Sequence, residues 1–203
     1  MKAAALLAAP ILVLAAACAH AEEDKWEFNA TGYWNDSRPG ESYASGIFLA
    51  DRGALHLEAR ANYEAVHAQS AFVGWTFSTG DTVKLEATPI VGGVTGATHG
   101  PIAGLEATIS AGRFDYYLEA EYVRDRSDHE ASYTYAWSEL GFRPVDWLRL
   151  GAVAQRTRIY GGDRELQRGP FVQATYGKVT LSAYWFNPGS SEQVAIVALG
   201  VGF

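Results

Sequence analysis

Apolar and small residues alternate with polar ones along most of this chain, in blocks of about ten, the length of a tilted strand across a membrane. Trp26, Phe28, Ala30, Gly32 and Trp34 share one parity. So do Leu55, Leu57, Ala59, Ala61 and Tyr63, then Ala71, Val73, Trp75 and Phe77, then Val83, Leu85 and Ala87. The pattern returns at Leu105, Ala107 and Ile109, and at Phe114, Tyr116, Leu118, Ala120 and Tyr122. Leu148, Leu150, Ala152 and Ala154 form a further set, and Val179, Leu181, Ala183 and Trp185 another. Ala195, Val197, Leu199, Val201 and Phe203 close the series. Period two predicts strands, and helical periodicity is nearly absent.

The connections alternate in length. Tight turns are expected at Asp51-Arg52-Gly53, Thr79-Gly80-Asp81, Ala111-Gly112-Arg113, Pro144-Val145-Asp146 and around Gly177, where Gly, Pro and Asp supply turn chemistry. Longer loops are expected near 35–42, 64–68, 92–100, 124–132, 159–169 and 187–192. Five turns and six loops join twelve strands, an even number that returns both ends to the short-turn side. The weakest strands are 43–50 and 171–176; without them the count is ten. Pro39, Pro101, Pro144, Pro170 and Pro188 are read in or beside connections, and Pro89 near a strand end.

Outward aromatics sort to two levels. Trp34, Tyr63, Tyr122 and Trp185 fall near the long-loop ends; Phe77, Phe114, Phe142, Tyr176 and Phe203 fall near the short-turn ends. Two aromatic girdles around an aliphatic band fit a lipid bilayer. Beyond residue 21 no run is apolar enough for a spanning helix, so a spanning chain must close its sheet. The strand ending on Phe203 resembles the terminal strand of bacterial outer-membrane β-barrels. The resemblance implies an all-β antiparallel transmembrane β-barrel with short periplasmic turns and longer extracellular loops. It also implies that Phe203 is part of the signal read by the barrel assembly machinery.

The other end agrees. Met1-Lys2, an apolar stretch and Ala19-His20-Ala21 read as a secretory signal peptide over 1–21, with the barrel over 22–203. A membrane anchor is the rival, opposed by Pro10 and the acidic residues that follow. Cys18, the single cysteine, raises a lipidated start, but Ala15-Ala16-Ala17 lack the large aliphatic residue and Leu14 stands one place too far back. Cleavage after Ala21 leaves no thiol or disulfide chemistry. The net charge of −7 becomes −8 without Lys2, which argues against nucleic-acid partners.

A Leu-Glu-Ala motif recurs around Glu58, Glu86, Glu106 and Glu119, with a looser copy at Glu139. In each, the apolar neighbours face lipid and the carboxylate faces the lumen. Each Glu stands about six residues from a tight turn, roughly 20 Å along a strand, so a partial ring of carboxylates is expected. Arg60, Lys84 and Arg149 are the inward bases. With Asp115 and Glu121 added, seven inward acids outnumber these three bases. The expected function is a narrow, cation-preferring, porin-like passive channel for small cationic solutes. A plugged structural or interaction barrel, its lumen closed by those ion pairs, is the alternative. A hydrolase at the extracellular rim, built on Asp125, Asp128 and His129 with His67 and His99, is a second one. No catalytic residue, metal or cofactor is assigned. Arg156, Arg158, Arg164 and Arg168 crowd one strand end and suit lipopolysaccharide phosphates. Outer-membrane lipids complete the expected partners.

Overall fold

The computed structural model describes residues 25–38, 40–162 and 164–203. The expected signal peptide therefore lies outside the described residues. The strands are β1 (Glu27–Ser37), β2 (Tyr43–Arg52), β3 (Leu55–Ala61), β4 (Ala68–Trp75), β5 (Phe77–Thr79), β6 (Val83–Gly96) and β7 (Gly100–Ala111). They continue as β8 (Phe114–Val123), β9 (Tyr133–Val145), β10 (Leu148–Ile159), β11 (Arg164–Tyr176), β12 (Val179–Phe186) and β13 (Val194–Gly202). Each pairs antiparallel with its neighbours, β1 meets β13, and a β4–β6 pairing closes the cylinder. A closed sheet leaves no edge to be solvated by lipid.

The cylinder has twelve staves. Gly74 faces Ile90 and Phe77 faces Ala87, so β4 and β5 hold one register against β6 and form one strand interrupted at Thr76. The interruption has a cause. Odd-numbered residues of β6 bond toward β4, as the register of Ala97 N–H with the His67 carbonyl (3.2 Å) requires. Position 89 then owes an N–H to the fourth strand, and Pro89 has none. Pro170 stands likewise inside β11, at the point where the β11–β12 ladder stops at Phe171 and Tyr184. The expectation that prolines avoid mid-strand positions is thus corrected for these two, which are tolerated at gaps in the ladder.

Three connections are shorter than the sequence suggests. β6 runs to Gly96 and β7 starts at Gly100, so the Gly-rich stretch is mostly strand rather than loop. Gly92 is needed there, because a Cβ would lie 2.2 Å from the Ala71 carbonyl and 2.6 Å from the Phe72 ring. β11 begins at Arg164, which leaves only 160–163 as a connection. β1 runs to Ser37, so the first loop begins at 38.

Burial alternates strictly along β4 and along most of β13. The outer face exposes Val91, Leu140, Leu181 and Leu199. Trp34 and Trp185 lie near the long-loop ends, Phe77, Phe114, Tyr176 and Phe203 near the short-turn ends. A soluble sheet would bury those leucines; a belt of this kind belongs in lipid. Among the described residues no helix is long and apolar enough to cross a membrane. Phe203 closes the seam, exchanging backbone bonds with Phe28 (2.9 and 3.1 Å) and stacking on its ring at 5.6 Å.

Candidate functional site in the barrel lumen

Two apolar clusters fill part of the lumen. Phe72, Ile90, Val94, Ile102 and Val123 pack on one wall. Val153, Phe171, Tyr184, Phe186 and Ile196 pack on the other. Between them lies a cavity of about 700 Å³. It reaches from the long-loop ends, at Ser37, Tyr43, Ile159 and Glu165, to mid-strand residues such as Thr31, Leu49 and Glu58. Seven carboxylates line it: Glu58, Glu64, Glu106, Glu119, Glu121, Glu139 and Glu165. Among its described lining residues there is no Lys or Arg.

Arg60 is buried beneath this wall. Its Nε and Nη2 donate to Glu58 Oε1 and Oε2 (2.7 and 3.0 Å), and Nη1 donates to Glu121 (2.7 Å) and Glu119 (3.2 Å). Glu64 and Glu106 stand 3.6 and 3.7 Å from the guanidinium. The planar group is held between the rings of Tyr63 and Phe72, each at 4.6 Å. Tyr63 and Tyr117 both donate to Glu119 Oε2. One guanidinium therefore faces five carboxylates. Strand geometry explains the convergence: Glu58 and Arg60 share a face of β3, while Glu119 and Glu121 share a face of β8, and Glu106 lies opposite Glu119 in β7.

The second base, Arg149, makes a separate cluster. Its Nε donates to Asp115 Oδ2 (2.8 Å) and its Nη1 to Glu139 and to Gln173 Oε1 (2.8 Å). Phe171 lies under it at 4.7 Å. Arg143 also donates to Asp115, and Trp137 Nε1 donates to Glu139 (3.0 Å). Gly141 makes room: a Cβ there would stand 2.4 Å from Arg149 Nε.

The five expected glutamates thus divide. Glu58, Glu106 and Glu119 gather on Arg60, and Glu139 joins Arg149. Glu86 stands apart at the short-turn mouth, accepting from Ser78 (3.4 Å), with exposed Lys84 beside it in a cleft of about 310 Å³. Equal distance from a turn does not mean equal height, because the staves of a barrel are staggered. Glu64 and Tyr63 were missed as lumen residues. Asn62 takes a left-handed conformation (φ 54°), which breaks the alternation after Ala61 and turns Tyr63 inward rather than into the outer girdle. Asparagine just past a strand is the signal that would have found it.

The rim residues serve their loops. Asp125 Oδ1 accepts the N–H groups of Ser127 (2.7 Å) and Asp128 (2.9 Å), and Oδ2 accepts from Thr98 (3.1 Å) and the His99 N–H (3.3 Å). Those N–H donors hold the Asp125 carboxyl below its usual range. Asp128 caps the short 3-10 turn at His129–Ala131, and His129 packs edge-on against Tyr160. His67 has a left-handed backbone (φ 66°) and donates its N–H to Asn62. Arg156, Arg158, Arg164 and Arg168 are exposed on adjacent strands at the long-loop end.

No family model and no curated protein matches the chain by sequence. Solved structures match it by shape. The KdgM porin in complex with disordered oligogalacturonate is 7% identical over 86% of this chain and 99% of its own, with a TM-score of 0.63. Pseudomonas aeruginosa OccK5 (OpdH) is 10% identical over 90% of this chain and 67% of its own, with a TM-score of 0.47. A mutant of Rh. blastica porin is 10% identical over 88% of this chain and all of its own, with a TM-score of 0.30. The fold is that of a bacterial outer-membrane β-barrel.

Proposed function

We propose that this barrel is an outer-membrane channel, narrow and porin-like, that passes small cations in preference to anions. The observation that carries the reading is the cavity wall, with seven carboxylates and no base among its described residues. A recess lined by one sign of charge within low-dielectric walls concentrates counterions. One guanidinium cannot neutralise the five carboxylates around Arg60, and buried charges left unmatched cost several kcal/mol, on the order given for desolvated ions. Water and cations relieve that cost. The oligogalacturonate held by the KdgM porin is itself a carboxylate-bearing chain; a wall of this sign repels such a solute.

The test is single-channel recording in planar bilayers under a potassium chloride gradient. The reversal potential takes the cation-selective sign, and the paired change Glu121→Gln with Glu165→Gln lowers the cation-to-anion permeability ratio several-fold. Barrels shown to be folded by heat-modifiable gel mobility, yet silent in the bilayer, would overturn the channel. They would favour the plugged barrel that the Arg60 and Arg149 clusters otherwise suit.

The exposed arginines at 156, 158, 164 and 168 fit the phosphates of lipopolysaccharide, since guanidinium pairs well with phosphate. Charge reversal at two of them lowers co-purified lipopolysaccharide; an unchanged yield removes that partner. Phe203, sealed against Phe28, is the residue offered to the assembly machinery. Replacing it by Ala lowers the amount inserted in cells, and unchanged insertion removes that role.

A further inference from the structure

His56 stands on β3 between the Arg60 cluster and the β2–β3 turn, with its side chain only 7% exposed. Its Nδ1 lies 2.7 Å from Asp51 Oδ1. With Asp51 accepting the Nδ1 proton, Nε2 carries a lone pair in the neutral imidazole and a proton in the imidazolium. Nε2 is buried and has no hydrogen-bond partner among the described residues. It points between two carboxylate oxygens, Glu58 Oε2 and Glu106 Oε2, each 3.8 Å away. That is too far for a hydrogen bond. Two carboxylate oxygens around a buried nitrogen call for a positive charge between them, which either the nitrogen's own proton or a metal ion displacing that proton supplies.

We infer that His56 Nε2, Glu58 Oε2 and Glu106 Oε2 form a binding site for one divalent transition-metal ion of the zinc class on the lumen wall. The three ligand atoms lie within 4.8 Å of one another. A point equidistant from them is no more than about 2.5 Å from each, against about 2.0–2.2 Å for zinc on imidazole and carboxylate. A shift of a few tenths of an ångström completes the contact. One imidazole nitrogen with two carboxylate oxygens is a donor set for a borderline ion, and the remaining position is left to water. Asp51 is the carboxylate that orients a metal-binding histidine through its other nitrogen. Arg60 opposes the ion from one side, 3.0 Å from Glu58 Oε2. It does not outweigh its surroundings: five carboxyl groups face that one guanidinium, and a divalent ion adds positive charge where it is short. The linear sequence hides the site, because Glu106 comes from β7, far along the chain from His56 and Glu58.

The site stands whether or not the lumen conducts, so binding is measured on the folded full barrel in detergent, after chelator treatment, by calorimetric titration with zinc chloride. One ion binds per barrel and raises the melting temperature. His56→Ala weakens binding at least a hundred-fold and Glu106→Gln at least ten-fold, while His67→Ala, in an outer loop, changes neither. Glu106→Gln is the safeguard against misfolding, since Glu106 makes only the long contacts to His56 and Arg60. Zinc binding that is absent from the unaltered barrel, or that survives both lumen changes, overturns the site. Displacement of zinc by an equal concentration of calcium, an oxygen-seeking ion, would also overturn it, by removing the imidazole from the ligand set.

Discussion

Arg60 and Arg149 are both buried arginines in one lumen, and their carboxyl partners are matched in number at one and in excess at the other. Arg149 holds Glu139 and shares Asp115 with Arg143: two carboxylates, two guanidiniums. Arg60 stands alone among five carboxylates. The first cluster is complete in itself and braces β8, β9, β10 and β11 through the Asp115, Glu139 and Gln173 contacts. The second has more carboxyl groups than guanidiniums among the described residues, and on the proposed reading the lumen supplies further positive charge. A balanced ion cluster is a strut. An unbalanced one is, on the proposed reading, a place where cations collect.

The largest effect follows from removing each arginine in turn. Arg60→Met leaves five carboxylates facing one another without a cation, and breaking a buried pair in this way costs about 3–5 kcal/mol. Unfolding by urea in detergent reads the loss. Refolding Arg60→Met near pH 4, where carboxylates begin to take up protons, restores much of it. Arg149→Met costs less, about 1–3 kcal/mol, because Arg143 still holds Asp115. Acid gives that variant little recovery. Equal costs and equal acid rescue for the two would erase the distinction between strut and collector.

Gly141→Ala is the next smaller test, aimed at the strut alone. The added Cβ meets Arg149 Nε at 2.4 Å and Asp115 Oδ2 at 2.7 Å, and both are committed to each other. Overpacking of this kind costs about 1–3 kcal/mol, visible as a lower midpoint in the same urea transition. Cation selectivity is unchanged, because the Arg60 wall is untouched. A change in selectivity without a change in midpoint would show that the two clusters act as one.

The barrel was legible because lipid enforces period two on one face of every stave, and turns announce themselves with Gly, Pro and Asp. The strands at 43–50 and 171–176, read as the weakest, are both present as β2 and the later part of β11. What parity cannot give is stagger. Glu58 and Glu86 look equivalent from their turns, yet Glu58 meets Arg60 and Glu86 sits at the mouth. Parity also fails where a left-handed residue intervenes, as at Asn62 before Tyr63 and Glu64. Proline rules misled for Pro89 and Pro170, because a closed cylinder tolerates single ladder gaps that sequence alone cannot locate.

Asp125 offers a third way to settle a carboxylate, and the smallest effect. It lies outside the membrane span and is satisfied by N–H and hydroxyl donors, with no guanidinium bonded to it among the described residues. The N–H groups of Asp128 and Ser127 are the main cause of its lowered pKa. Its contribution to loop order is therefore fully present above the unfolded value of about 3.9 and is lost as pH falls through the lower folded value. Hydrogen exchange at the Ser127 and Asp128 amides measures this locally. Protection relative to the free peptide holds at neutral pH and declines only below about pH 4. Asp125→Asn keeps an acceptor for those two amides but sets an NH2 group, which only donates, where Thr98 and the His99 N–H donate, so protection drops by less than about ten-fold and its pH dependence disappears. Added salt leaves it unmoved, whereas salt strengthens Arg60→Met by screening its carboxylates. If Asp125 proved as salt-sensitive as that variant, charge count would not be what separates the collector from the other two.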